Sequence, residues 1–229
     1  MAEAANSSGS MSDIAYHGII ELIRQGQIAE SDYISHRRLA NRLSMSKLPV
    51  GTALKRLEQE GVVKSLARVG TRLNRIDAQG VWDLLQWRIA LESQTARLAN
   101  QWMTTPEREA LIQKGREIDQ AISAGDECVR QADVAFHLLV ADASKVRQLR
   151  VDLERLNIYD LKLHLCEAVH AAAQNPPNPP PNHETLAKVI AHGSADEAEH
   201  SMRAHLQDNS TVYGFVQWYC RKRQLESNA

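Results

Sequence analysis

Residues 46–63, SKLPVGTALKRLEQEGVV, constrain the fold most, because they carry signals for both ends of an amphipathic helix. Ser46 can cap the first turn, Pro49 lies where a missing N–H costs little, and Gly61 can end the helix in the left-handed conformation. Four apolar residues recur at helical spacing and predict a buried stripe: Val50, Ala53, Leu54 and Leu57. The opposite face would carry Lys47, Thr52, Lys55 and Arg56. This pattern is typical of a DNA recognition helix and equally of an ordinary surface helix.

The composition indicates a soluble globular protein. The chain has 229 residues, of which 43% are hydrophobic and 24% charged, and this length favours two domains. We see neither an apolar run of the roughly 20 residues needed to span a bilayer nor the features of a signal peptide. Three widely spaced cysteines give no disulfide framework or thiolate zinc site: Cys128, Cys166 and Cys220. We therefore expect a cytoplasmic protein with reduced thiols and no membrane partner.

Charge is distributed unevenly along the chain. Residues 1–76 contain 11 Lys and Arg against 7 Asp and Glu, a net charge of +4, whereas the remainder contains 16 against 21, a net charge of −5. A basic first third joined to an acidic remainder suits a module that contacts phosphate followed by a module with another role.

The segments around residues 46–63 complete a winged helix-turn-helix over residues 11–76. Residues 13–24 predict a short amphipathic helix that stops near Gly26, and Ser35 can cap a second helix. That second helix would have a buried side of Leu39, Ala40 and Leu43 and a basic side of Arg37, Arg38 and Arg42. After Gly61, residues 62–64 and 71–73 predict two short strands that form a β-wing. Residues 1–10 are predicted to be a disordered N-terminus.

Residues 77–229 predict a second, all-helical domain, because apolar residues repeat at helical spacing with few interruptions. In this domain a capping Thr105, a tolerated Pro106 and Glu107 mark one helix start, and the proline-rich residues 175–181 predict an extended loop. We expect helices at about 78–102, 106–123, 127–143, 146–173, 183–192 and 196–222. The fold class is therefore mainly α, with a small β-wing and a C-terminal helical bundle.

The N-terminal segment ISHRRLANRLSMSKLPVGTALKRLEQEGVV, followed by a wing ending in GTRL, resembles the DNA-binding domain of the GntR family of bacterial regulators. The resemblance covers about residues 14–73. It implies that operator DNA is contacted at Arg37, Lys47, Gly51 and Gly70, the last of which enters the minor groove. Lys47 and Gly51 both replace the family's arginine, which removes a bidentate guanidinium fork suited to guanine. Lys47 can still contact a phosphate or a guanine edge as a point charge, and Thr52 or Leu48 could contact a thymine methyl group.

Histidines carry the chemistry of the helical domain. Asp133 and His137 are four residues apart, so they project from one face of a predicted helix. His183 opens a later helix and His205 lies in the last predicted one. Taken one at a time, each of these residues is more often an ordinary surface residue than a metal ligand.

Three segments together resemble the FCD effector domain of the FadR-type branch of GntR regulators: VWDLLQWRIALESQTARLAN, DVAFHLLV and NHETLAKVIAHGSADEAEHSMRAHL. The resemblance covers most of residues 78–210. It implies a divalent metal ion held at Asp133, His137, His183 and His205, and three imidazoles with one carboxylate suit Zn²⁺ or Ni²⁺. A polar cavity without a metal is the alternative.

The same resemblance implies that Arg88 faces the ligand cavity, where its guanidinium can pair the carboxylate of a small organic acid. The alternative for Arg88 is a surface ion pair with Glu92, four residues away. Two features depart from the family pattern near the expected cavity: Val146 stands where an asparagine is usual, and residues 157–160, NIYD, replace a more basic stretch.

We interpret the chain as a homodimeric, ligand-responsive transcription regulator, a repressor by analogy with the commoner members of this family. Its two winged domains would read the halves of a near-palindromic operator, and the linker around residues 74–79 would transmit the effect of a bound carboxylate. A metal-dependent hydrolase is one alternative, although no general base or nucleophile stands out beside the predicted ligands. A regulator that senses the metal itself is another.

Overall fold

The computed structural model describes residues 10–28, 33–66, 69–74, 76–125, 129–156, 166–174, 177, 182–209 and 212–227. Within these ranges the chain forms two compact units, one ending at Ile76 and the other beginning at Asp77. The predicted disordered N-terminus lies outside the described residues except for Ser10, which caps the first helix.

The first unit is a winged helix-turn-helix. Its two strands pair antiparallel, with Val63 opposite Leu73 and Leu66 opposite Gly70. Ile34 adds an antiparallel bridge to Thr71, so the segment before the second helix is tied to the wing. The elements are α1 (Met11–Arg24), α2 (His36–Arg42), α3 (Lys47–Gln59), β1 (Val63–Leu66) and β2 (Gly70–Leu73).

The ends of these helices follow the sequence signals, with one exception. Ser35 accepts a hydrogen bond from the Arg38 N–H at 3.1 Å, and Gly61 adopts a φ of 71° after α3. The predicted side-chain cap at Ser46 is wrong, because this residue precedes α3 without a capping hydrogen bond. A serine cap accepts from the second or third N–H of the helix, and the third position is Pro49, which has none.

The predicted buried stripe of α3 is confirmed, but one residue of its outward face is committed to α1. Val50, Ala53, Leu54 and Leu57 are buried. The Arg56 guanidinium lies 3.8 Å from the centre of the Tyr16 ring and 3.4 Å from the Asp13 carboxylate. Arg56 therefore holds α3 against α1 rather than projecting freely toward a partner.

The second unit is a helical bundle. Its described elements are α4 (Ala78–Trp102), α5 (Thr105–Ala124), α6 (Val129–Ala143), α7 (Arg147–Arg155), α8 (Glu167–Ala171), α9 (His183–His192), α10 (Ala195–Gln207) and α11 (Tyr213–Ser227). Five of these helices pack in a closed ring in the order α4, α6, α5, α9 and α10, and α7 packs on α4 and α6.

Two predicted helices of this unit are wrong. The helix expected at 146–173 is interrupted, because α7 ends with Leu156 as its C-cap and Cys166 is not helical. The helix expected at 196–222 is divided, because α10 ends with Asp208 as its C-cap. The break after α10 coincides with residues 208–211, Asp-Asn-Ser-Thr, a cluster typical of loops that the prediction overlooked. No Gly or Pro precedes the break after α7.

The start of α5 also differs from the prediction by one residue. The cap is Thr104 rather than Thr105, and the Glu107 carboxylate accepts hydrogen bonds from the Thr104 N–H and hydroxyl at 2.8 Å each. Glu107 thus completes a capping box at the positive end of the helix dipole.

Helices α5 and α9 approach each other closely at Gly115. A Cβ atom on Gly115 would lie 2.5 Å from the His183 carbonyl oxygen and 2.9 Å from the Glu184 Cα. The absence of a side chain at Gly115 therefore allows the first turn of α9 to pack directly on the backbone of α5.

The predictions about the cysteines and about membrane-spanning segments can be compared with the described residues. Cys166 and Cys220 are free thiols, and Cys128 lies outside the described residues. In the part of the chain that the structure describes, each helix is too short or too polar to cross a membrane.

Candidate metal centre and nucleic-acid interface

The four predicted metal ligands come together inside the helical unit. Asp133 and His137 project from α6, His183 is the first residue of α9, and His205 lies near the end of α10. One ligand atom from each residue lies within 4.8 Å of the others. The Asp133 Oδ1 atom is 2.8 Å from His183 Nε2 and 3.7 Å from His137 Nε2.

The residues of this cluster fit a divalent cation. All three imidazoles are buried, and His137 Nε2 has no hydrogen-bond partner among the described residues although water does not reach it. A buried polar atom without a partner is costly. Three imidazoles and one carboxylate form the ligand set expected of a cation such as Zn²⁺ or Ni²⁺, which would satisfy that atom.

The pKa values of the cluster residues shift in different directions: the carboxylates favour a positive charge on His137, whereas burial and the other imidazoles disfavour one on His205. Burial raises the pKa of Asp133, but His137 and His183 outweigh burial and hold that pKa well below its ordinary value. Burial lowers the pKa of His137, but Glu92 and Asp133 outweigh it and raise the pKa to about 9. For His205, burial and then the neighbouring His137 and His183 lower the pKa to about 3. The neutral His205 imidazole is therefore in the form that binds a metal.

Glu92 is a site residue that the sequence reasoning missed. Its side chain on α4 is 2% exposed, one carboxylate oxygen contacts Arg88 Nε, and the other lies against His137 Nδ1. Burial raises the pKa of Glu92, but Arg88 and His137 outweigh it and lower the pKa to about 2. Glu92 is thus ionised and fixes the ring of His137 from the side opposite Asp133.

A signal for Glu92 was present in the sequence. Glu92 follows Leu85 and Ile89 and precedes Ala96 at steps of three and four, which places it on the buried stripe of α4. The ion pair of Arg88 with Glu92, expected at the surface, is largely buried.

Asp119 on α5 is the second residue that was missed. Its carboxylate accepts hydrogen bonds from the backbone N–H groups of His183 at 3.1 Å and Glu184 at 2.9 Å. One of its oxygens also lies 3.4 Å from His183 Nδ1. Asp119 therefore anchors the first turn of α9 and lies beside the imidazole of its first residue. This contact joins segments that are distant in the sequence, and no local pattern predicts it.

The residues predicted to contact DNA lie on the exposed surface of the winged unit. Arg37, Lys47 and Thr52 are exposed. The Thr52 hydroxyl donates a hydrogen bond to the Leu48 carbonyl oxygen at 3.2 Å. Leu48 itself is 81% exposed, an unusual value for a leucine, on the side of α3 that carries Lys47 and Thr52.

The two glycines of the predicted DNA surface differ from each other. Gly51 is partly exposed, and a Cβ there would make an ordinary van der Waals contact with His36 Nδ1 at 3.7 Å. Gly70 has a φ of +132°, and a Cβ there would lie 3.2 Å from the Ile34 carbonyl oxygen. The backbone therefore requires glycine at position 70 independently of DNA.

The two units match two models of protein families. Residues 12–73 match "Bacterial regulatory proteins, gntR family", and residues 83–208, more than half of the chain, match the FCD domain. The chain belongs to the FCD-domain members of the GntR family. It is a transcription regulator with a DNA-binding domain and an FCD effector domain.

Individual relatives agree with this assignment. The HTH-type transcriptional regulator LutR of Bacillus subtilis is 27% identical over 210 residues, which cover 83% of this chain and 95% of LutR. YdhC, an HTH-type transcriptional regulator of the same organism, is 27% identical over 157 residues, covering 68% of this chain and 69% of YdhC. The solved structure of E. coli McbR/YncC has the same fold, with a TM-score of 0.69 and 17% identity over 92% of this chain and 99% of that one.

The two departures from the family pattern fall in different places. Val146 is the N-cap residue of α7 and is 39% exposed. Residues 157–160 lie outside the described residues. Neither position identifies an effector.

Proposed function

We propose that this GntR-family regulator is a homodimeric repressor that senses a small organic acid through a divalent metal ion. Asp133, His137, His183 and His205 would hold the ion, with Zn²⁺ or Ni²⁺ as the expected metal. A coordination position open to a carboxylate oxygen would let the effector bind the ion directly. Effector binding would favour one arrangement of the helices and so release a near-palindromic operator.

The observation that carries this proposal is the convergence of four ligand atoms within 4.8 Å of one another, supplied by three helices of the FCD domain. Two of the imidazoles have a carboxylate beside Nδ1: Glu92 for His137 and Asp119 for His183. Carboxylates in this position orient the histidine ligands of metal sites, so the arrangement supports a built site rather than a chance cluster.

Arg88 is the proposed contact for the effector. Its positive charge lowers the pKa of Asp133 and of His205, so the guanidinium lies within electrostatic reach of the cluster. Its Nε atom contacts Glu92, and a planar guanidinium is the group that pairs a carboxylate through two parallel N–H donors. A small acid would thus be held at one end by the metal and at the other by Arg88.

We infer that the site senses rather than catalyses. Hydrolysis at a metal would require a carboxylate or other base that is available to a substrate. Beside the cluster, Glu92 is committed to Arg88 and His137, and Asp119 accepts from two backbone N–H groups. Both carboxylates are used to position ligands.

The outward face of α4 supports the homodimer. Trp87 and Trp102 are 58% and 60% exposed, and the exposed residues between them, Ala90, Gln94 and Gln101, carry no charge. Tryptophan enrichment and charge depletion are typical of the centre of an interface. Residues near a two-fold axis face their own copies, so an uncharged face avoids repulsion between like charges.

Metal analysis of the purified protein, combined with thermal shifts against a panel of small carboxylates before and after chelation, tests the proposed sensor. We expect about one metal ion per chain and a stabilisation by one acid that disappears on chelation. Gel-shift measurements on a selected operator should then show release of DNA by the same acid. Metal-free protein without a carboxylate response would contradict the sensor, whereas stabilisation by the metal alone, with release of DNA, would identify a metal sensor.

A further inference from the structure

The middle of the outward face of α3 has an opening at Gly51. A Cβ atom there would meet only the imidazole of His36, with Nδ1 at 3.7 Å and Cε1 at 4.0 Å. His36 is the first residue of α2 and is exposed. Its ring therefore lies beside α3 at the level of Gly51, next to the surface on which Lys47 and Thr52 are exposed.

The side chains of α3 near this opening offer few hydrogen-bonding groups for reading a base edge. Leu48 is apolar, and the Thr52 hydroxyl already donates to the Leu48 carbonyl oxygen. Lys47 and Lys55 are flexible point charges that lack the directional pairs of donors used to distinguish base edges. The outward face of α3 thus has charge for phosphates but few directional groups for bases.

His36 supplies what the face of α3 lacks. A neutral imidazole has one N–H donor and one acceptor nitrogen in a fixed plane. Among the described residues, neither ring nitrogen of His36 makes a hydrogen bond or an ion pair. Within the described ranges both nitrogens are therefore open to a partner, on a ring that lies next to α3.

We propose that His36 reads a base edge in the major groove of the operator, through the opening that Gly51 leaves in α3. The ring N–H would donate to the N7 acceptor that purines present in this groove. A residue of α2 would thus fill the place on the recognition surface that a long side chain at position 51 would otherwise occupy. Lys47 and Lys55 would hold the flanking phosphates.

Selection of binding sites from a randomised duplex pool, using the full-length protein, tests this assignment. With His36→Ala we expect the same site except that one base position, together with its symmetry mate, becomes degenerate. Affinity for the selected duplex should fall on the order of tenfold, while affinity for a scrambled duplex should stay within about twofold. The matched control is His17→Ala, which removes an exposed histidine from α1. It should leave the affinities for the selected duplex and for the scrambled duplex unchanged.

Two further variants separate base reading from a structural effect. His36→Gln keeps a donor and an acceptor and should change the base preferred at the same position. Gly51→Arg places a guanidinium in the opening and should shift the preference there toward guanine. Circular dichroism of each variant checks the fold, and His36→Gln decides the matter if His36→Ala is unfolded.

Three outcomes would overturn the role of His36. One is selection of the wild-type site by His36→Ala with unchanged affinity. Another is an equal loss of affinity on selected and scrambled duplexes, which would make His36 a phosphate contact. The third is a failure of the wild-type protein to select any sequence while still binding DNA, which would leave DNA binding intact without base reading.

Discussion

Four side chains of the candidate metal centre form a row in which positive and negative charges alternate. Arg88 contacts Glu92, Glu92 contacts His137 Nδ1, and His137 Nε2 faces Asp133. Each buried charge has a neighbour of opposite sign, as burial of ionised groups requires. Arg88, predicted as an effector contact, therefore also stabilises the carboxylate that orients a ligand. Loss of Glu92 would remove the carboxylate that lies between Arg88 and His137.

Replacement of Glu92 by glutamine should weaken metal binding by about 10- to 100-fold, because the carboxylate that orients His137 is lost while the shape of the side chain is kept. Competition with a chromogenic chelator measures this affinity. The control is Glu109→Gln, which makes the same substitution at an exposed glutamate of α5 and should leave the metal affinity unchanged. Equal affinities for the two variants would show that Glu92 does not position His137.

Replacement of His137 or His205 by alanine should abolish stoichiometric metal, because each removes one of four ligands. Elemental analysis of the purified variants measures the content. Replacement of His200 by alanine, an exposed histidine on the same helix as His205, serves as the control. Full occupancy in either ligand variant would contradict the assignment.

The packing of α9 on α5 fixes the position of His183, and no local sequence pattern predicts that position. The carbonyl of His183 lies over Gly115, and Asp119, one turn later on α5, accepts from the first N–H groups of α9. The position of this candidate metal ligand thus depends on the fit between two helices that are distant in sequence. The periodicity of the sequence predicts both helices, but it contains no information about this contact.

Replacement of Gly115 by alanine should therefore destabilise the fold by about 1–3 kcal/mol and reduce metal affinity, because α9 must move away from the new methyl group. Gly51→Ala is the matched control, since its Cβ has room and alanine favours a helix. Thermal unfolding and chelator competition measure the two effects. Unchanged stability in Gly115→Ala would mean that α5 and α9 separate without cost.

At the scale of the whole molecule, we expect two copies of the chain to associate. Interfaces that are stable in solution bury about 800 Å² on each partner. The α4 face offers two half-exposed tryptophans 15 positions apart in the sequence, about 22 Å along a helix. A symmetric dimer would also present two winged units to the two halves of an operator.

Replacement of Trp87 by glutamate should weaken the dimer by at least about 30-fold, because a charge near the axis meets its own copy and a tryptophan anchor is lost. Sedimentation equilibrium over a range of concentrations measures the dissociation constant. Ile122→Glu, which changes a 50% exposed residue of α5, is the control. A monomeric wild-type protein would contradict the homodimer, whereas a dimer unaffected by Trp87→Glu would place the interface elsewhere.

By itself the sequence predicted the order of most elements and the four residues that converge in the candidate metal centre. Capping residues, the left-handed Gly61 and apolar periodicity are local signals, so they predicted the recognition helix, the wing and α9 closely. The break after α7, the contact of Glu92 with His137 and the contact of Asp119 with α9 were decided only by the tertiary structure. They depend on which side chains meet across the bundle, and such contacts arise from packing between segments that local periodicity treats separately.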